Sequence, residues 1–183
     1  MQWNEHWGLK DRHAFLSPSQ YHWVNYDDEK LEDRFFNDMA KKRGTELHDF
    51  ASRAIKLNRK MPRNKDSVNS FVNDAIGYGM QSEQPLYYSD NCFGTADAIS
   101  FNKGLLRIHD LKTGVTPASM MQLIVYAALF CLEYGVSPDK VDIELRIYQN
   151  NEIDIHIPDA EEVQEIMDKI VDFDKKIEFF RAE

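Results

Sequence analysis

From about Ser17 to Tyr78 apolar residues recur every three to four positions, in the middle alternating strands enclose one apolar helix, and beyond Pro158 the helical spacing returns. Ser17-Pro18-Ser19-Gln20 reads as a helix start, with Ser17 as N-cap and Gln20 closing a capping box before the aromatic run Tyr21-His22-Trp23. A second helix is predicted over 29–42. Arg43-Gly44-Thr45 breaks it, and Thr45 caps a third helix to about Asn58, with Leu47, Phe50, Ala51, Ala54 and Ile55 inward and His48 beside that stripe. A further helix spans 67–78, burying Val68, Phe71, Val72 and Ala75. Residues 1–16 carry Trp3, Trp7, His6 and His13 without periodicity and read as an irregular arm.

The middle of the chain reads as strands. After a first strand over 84–89, Phe93, Ile99 and Phe101 form one row in which Asp97 also sits. In the next strand Leu106 and Ile108 start a row that continues into Asp110 and Lys112. Asn102-Lys103-Gly104 is a turn, so these strands pair antiparallel and bring Asp97 near Asp110. Thr116 as N-cap and Pro117 at the first helical position open a helix over 118–134, which Gly135 ends. Its sole charge is Glu133, so it must be buried, and Gln122 and Tyr126 share one of its faces. Strands over 141–147 and 153–157 form a hairpin through Gln149-Asn150-Asn151. Asp159 with Glu162 then caps a last helix whose stripe is Val163, Ile166, Met167, Ile170, Phe173, Ile177 and Phe180, spaced to lie on a sheet. The expected fold is α/β: a mixed central sheet of about five strands flanked by helices, with a helical N-terminal part. One domain over 1–183 is expected, with a mainly helical part over 1–80, a sheet and buried helix over 84–157, and a terminal helix over 159–183.

Composition narrows the class. No apolar run reaches the roughly 18–20 residues that span a bilayer, and Met1-Gln2-Trp3-Asn4-Glu5 does not open a signal peptide, so a cytoplasmic protein without a membrane partner is expected. Two cysteines, Cys92 and Cys131, match no zinc or iron–sulfur spacing and read as small buried hydrophobes. The net charge of −9 argues against a protein that coats nucleic acid. Yet 41–65 holds nine Lys and Arg against Glu46 and Asp49, whereas 139–183 holds fourteen acids against six bases. A basic flank on an acidic chain suits a negative partner met on one side, or is a solvated helix face.

Asp97 and Asp110 converge at the end of a buried hairpin, where like charges repel unless a cation sits between them. Mg²⁺ takes oxygen ligands, commonly one or two carboxylates, waters and a substrate phosphate. The Leu111 carbonyl can supply another oxygen, and His48 an imidazole nitrogen. Lys112 can hold or polarise an attacking water and neutralise charge on a pentacovalent phosphate. Taken singly, Asp110 with Lys112 reads as a salt bridge, His48 as a satisfied core histidine, and Gln122 with Tyr126 as buried polar groups.

In order, the chain carries Gly44-Thr45-Glu46-Leu47-His48, Gly94-Thr95-Ala96-Asp97, Asp110-Leu111-Lys112-Thr113-Gly114, and Gln122 with Tyr126. Over about 16–150 this resembles the RecB-like exonuclease branch of the PD-(D/E)xK nuclease superfamily, and Leu16-Ser17-Pro18-Ser19 looks like the helix start near the front of such domains. The resemblance implies a restriction-endonuclease-like core and a metal-dependent deoxyribonuclease, an exonuclease of compact phage type. It implies Mg²⁺ or Mn²⁺ held by His48, Asp97, Asp110 and the Leu111 carbonyl, with Lys112 as the catalytic lysine. Gln122 and Tyr126 would contact DNA or support the site, and Glu46 is a weaker candidate because it stands two residues from His48. Cys92 and Cys131 depart from relatives that hold an iron–sulfur cluster on four cysteines, so no cluster is expected. DNA along 41–65 is the implied partner, and a homo-oligomer or a place in a recombination or repair complex stays open. The alternative is an idle nuclease-fold module that binds DNA or a partner protein.

Overall fold

The computed structural model describes Gly8 and residues 13–182. The chain forms two compact units, 1–43 and 44–183. Most of the arm expected over 1–16 lies outside the described residues.

In the first unit a short 3₁₀ helix, Pro18–Asn25, replaces the expected aromatic α-helix. The capping box does not form, because the Ser17 hydroxyl bonds Ser19 Oγ at 2.8 Å instead of capping a backbone N–H. The Ser17 carbonyl accepts the indole N–H of Trp23 at 2.9 Å, which fixes that ring. Helix α1, Asp28–Lys56, is continuous where a break was expected at Arg43-Gly44-Thr45. Gly44 is buried within it, and a Cβ there would stand 2.7 Å from Thr113 Oγ1. The glycine permits a close approach; it does not end a helix.

The second unit is an α/β domain around one five-stranded mixed sheet in the order β1-β2-β3-β4-β5, with β1 Gln81–Ser89, β2 Cys92–Asn102, β3 Leu105–Leu111, β4 Asp142–Gln149 and β5 Glu152–His156. Every neighbour is antiparallel except β3 and β4, which are parallel and joined by a crossover through helix α3, Met121–Tyr134. Of the three hairpin turns, those after β2 and β4 use left-handed residues. Lys103 and Gly104 (φ 51° and 81°) and Asn150 and Asn151 (φ 53° and 62°) take the left-handed conformations such turns require.

Two cores flank the sheet. One packs α3 and helix α4, Ala160–Ala182, against Leu86, Ile99, Leu106, Ile108 and Leu145. The other packs the α1 residues Ala51, Ala54 and Ile55 and helix α2, Ser67–Gly77, against Ala98, Leu111 and Tyr148. Phe50 was expected inward and is exposed. The α4 stripe holds only through Ile170; Phe173, Ile177 and Phe180 run on past the core and are exposed.

Helix α3 starts at Met121 and not near Ala118, and Thr116 does not cap it. The Gln149 side chain takes the backbone of that segment instead. Its amide N–H donates to the carbonyls of Gly114 and Thr116, and its oxygen accepts the Ala118 N–H at 3.0 Å. These groups are thereby satisfied without a helical turn. Cys131 lies in the α3-side core, where burial pushes its thiol up to about 11, while Cys92 is only half-buried. No helix among the described residues is long and apolar enough to cross a membrane.

Candidate active site

The site forms where the sheet's alternation of faces inverts. Ala98 pairs with His109 and Ile99 with Ile108, so Ile99 faces α3 and Ala98 faces α2. Before Asp97 the parity is reversed, for Ala96 already faces α3. Phe93 therefore leaves the expected row; it is exposed and stacks on Tyr87 at 6.4 Å. β1 inverts at the same level. Between the pairs Ser82–Ala98 and Gln84–Ala96, Glu83 holds φ +55°, a conformation that non-glycine residues seldom take in a strand. The inversion turns Asp97 out of the α3-side row and toward α1.

Asp97 is held there by two donors. Its Oδ2 lies 3.3 Å from His48 Nδ1 and accepts the Leu111 N–H at 2.9 Å. The side chain thus takes up a backbone donor at the end of β3, just past the last β2–β3 pair, Ala98 with His109. Asp110 keeps the parity of Ile108 and points to the α3 side, with Lys112 Nζ 2.9 Å from its Oδ2. That oxygen is buried and makes no directed hydrogen bond among the described residues, so charge pairs it with the ammonium.

Lys112 donates to Gln122 Oε1 at 2.8 Å. The Gln122 amide lies 3.4 Å from the Tyr126 hydroxyl, which donates to the Thr95 carbonyl at 2.7 Å. A Cβ at Gly94 would stand 3.0 Å from Tyr126 Cε1, so this glycine admits the ring. Two polar strings result: His48, Asp97 and the Leu111 amide, and Asp110, Lys112, Gln122, Tyr126 and Thr95. Adjacent residues of β3 link them.

Burial, and then the charge of Asp97, push the Asp110 carboxyl up to about 6 against the pull of Lys112. The hydrogen bond to Asp97 raises the His48 imidazole against the opposing effect of burial, and the charges of Asp97, Asp110 and Glu83 add to the rise. Glu83 is raised by burial and by the charge of Asp97. Three carboxylates and one imidazole therefore share one field.

Among the described residues no three His, Cys, Asp or Glu side chains form a ready-made metal cage. The donor set nevertheless fits a hard divalent cation. It consists of carboxylate oxygens, a chain carbonyl and one imidazole, and the buried Asp110 Oδ2 lacks a hydrogen-bond donor. Glu46 is exposed and sits roughly 200° around the helix from His48. The basic residues Arg53, Lys56, Arg59, Lys60, Arg63 and Lys65 are all exposed.

Two features were not singled out in the sequence. Glu83 is one: its type and place carry no periodic signal, and only its register with Asp97 reveals it. The other lies behind β3, where His109 is fully buried. The Tyr148 hydroxyl bonds Asp74 Oδ2 at 2.7 Å and lies 3.2 Å from His109 Nδ1. Arg146 joins Asp74 at 3.2 Å, Glu144 at 3.0 Å and the Tyr78 hydroxyl at 3.1 Å. The Lys112 N–H donates to the Tyr148 carbonyl at 2.9 Å, so this network fixes the strand that carries the site lysine. Alternation of Arg107, His109 and Leu111 opposite Glu144, Arg146 and Tyr148 was the readable trace.

Comparison with known protein families and with curated proteins finds no match to this chain.

Proposed function

We propose that the protein is a metal-dependent deoxyribonuclease of the PD-(D/E)xK type, acting as an exonuclease. The observation that carries this reading is the meeting of His48, Asp97, Asp110, Lys112, Gln122 and Tyr126, from α1, β2, the end of β3 and α3, in two linked polar strings. Salt bridges and satisfied core residues taken one at a time do not require such a meeting.

Asp97, Asp110, His48 and the Leu111 carbonyl would hold Mg²⁺ or Mn²⁺. When bound, the ion would lower the pKa of a coordinated water and offset charge on the phosphate. Lys112 has three N–H donors, of which one serves Gln122, while Asp110 is paired by charge. The others would serve a water or a phosphate oxygen. Gln122 and Tyr126 set the position of that ammonium, because the Thr95 carbonyl anchors the tyrosine hydroxyl. The exposed cations of 41–65 would meet the phosphate backbone, so activity should fall steeply with salt.

The test is degradation of linear duplex, single-stranded and closed circular DNA with Mg²⁺, Mn²⁺ or EDTA. Wild type should degrade linear substrates only with metal, and Lys112→Ala should be inactive. Equal behaviour of the two proteins in every arm rejects the enzyme. Cutting of the circle replaces exonuclease by endonuclease.

A further inference from the structure

The first unit contains an open cleft of about 860 Å³ lined by aromatic and cationic side chains. Trp23, Tyr26, Lys30 and Arg34 are among its lining residues. We propose that this cleft binds single-stranded nucleic acid, stacking bases on Trp23 and Tyr26 and pairing phosphates with the α1 cations. The proposal deepens the nuclease reading by assigning the strand form, and it rests on that reading for its purpose.

The wall rings are prepared for stacking. Trp23 is pinned by its N–H on the Ser17 carbonyl, so little ring freedom is lost on binding. Lys30 Nζ lies over one face of the Tyr26 ring, 4.9 Å from its centre, which sets a cation for phosphate on the ring itself. The Tyr21 and His22 rings lie 4.7 Å apart, tilted by 34°, on the same short helix.

The lining cations follow from helical spacing. Lys30 and Arg34 stand at i and i+4 on one face of α1, about 6 Å apart along its axis. The cleft also holds Asp38, whose carboxylate is compensated by Lys42 at 2.8 Å. Aromatic faces beside a basic groove suit unpaired bases, whereas a duplex hides its base faces.

The test uses the full chain in EDTA, with anisotropy of a labelled oligothymidylate read at several salt concentrations. Competitors are unlabelled duplex, thymidine monophosphate and polyglutamate. The expected result is tighter binding of the single strand than of any competitor. Trp23→Ala should weaken it by about tenfold, and Arg34→Glu should both weaken it and flatten the salt slope. Because Trp23→Ala could unfold the unit, the exposed Arg34→Glu decides if circular dichroism shows misfolding. Unchanged affinity in Arg34→Glu overturns the proposal, as does equal competition by polyglutamate or by duplex. Binding lost in Arg34→Glu, with no cleavage by wild type in any metal, keeps the cleft and removes the nuclease. Cleavage that depends on Lys112, with binding indifferent to Arg34 and Trp23, does the reverse.

Discussion

Replacing Tyr148 with Phe removes one oxygen from the network behind β3 and leaves two groups without it. Asp74 loses a hydrogen bond of 2.7 Å. A bond to a charged group contributes about 1.5–3 kcal/mol, and the low end applies because Asp74 is partly exposed and keeps Arg146. His109 loses its only hydrogen-bond partner among the described residues, at 3.2 Å, inside a site with no exposure. The imidazole there is neutral, since burial, with Arg146 and Arg107 nearby, lowers its pKa to about 3. With the Tyr148 hydroxyl donating to Asp74, Nδ1–H of His109 must donate to the hydroxyl oxygen, and its loss orphans a buried donor at about 1–3 kcal/mol. The expected total is about 3 kcal/mol, or a melting temperature lower by about 6–12 °C for a chain of this size. Urea unfolding at pH 7.5 measures it. A cycle with Asp74→Asn should show coupling of at least about 1 kcal/mol between the two sites. A loss below about 1 kcal/mol, or additive single losses, would refute the account of this network.

Three further outcomes are expected. Asp110→Asn should raise stability at pH 8 by up to about 3 kcal/mol, because the folded carboxyl titrates at about 6, above its ordinary value of 3.8. The cost of ionising it is present above pH 6 and relieved as pH falls toward 3.8, so the gain should vanish near pH 4; Mn²⁺ should raise the melting temperature of wild type but not of this variant. His109 acts with the opposite sign. Its folded pKa lies below the ordinary 6.5, so the unfolded chain binds more protons and stability falls as pH drops from 6.5 toward 3, by at most about 5 kcal/mol; His109→Phe should have a flatter acid limb in denaturant titrations. Gly94→Ala should press a methyl onto Tyr126, lower stability by about 1–2 kcal/mol and reduce cleavage; unaltered melting and activity would show that the ring moves freely.

The α/β class, its five strands and the turns after β2 and β4 were legible because period-two alternation and the Lys103-Gly104 and Asn150-Asn151 dipeptides are local signals. The candidate site was legible as types and order: a histidine on a helix, an aspartate in each of two strands, a lysine, and a glutamine and tyrosine four apart. Local signals misled where a distant partner decided. Gly44 reads as a helix break, but Thr113, far along the chain, needs its missing side chain. Thr116-Pro117 reads as a helix start, but Gln149 across the parallel crossover takes the backbone groups the cap would have served. Glu83 has no sequence signature, since its place beside Asp97 depends on two strands changing faces together. Residue types and spacing determined by themselves which groups could do chemistry. Which of them share one electric field was decided only by the pairing of strands, because that field falls off over ångströms in space and not over positions in the chain.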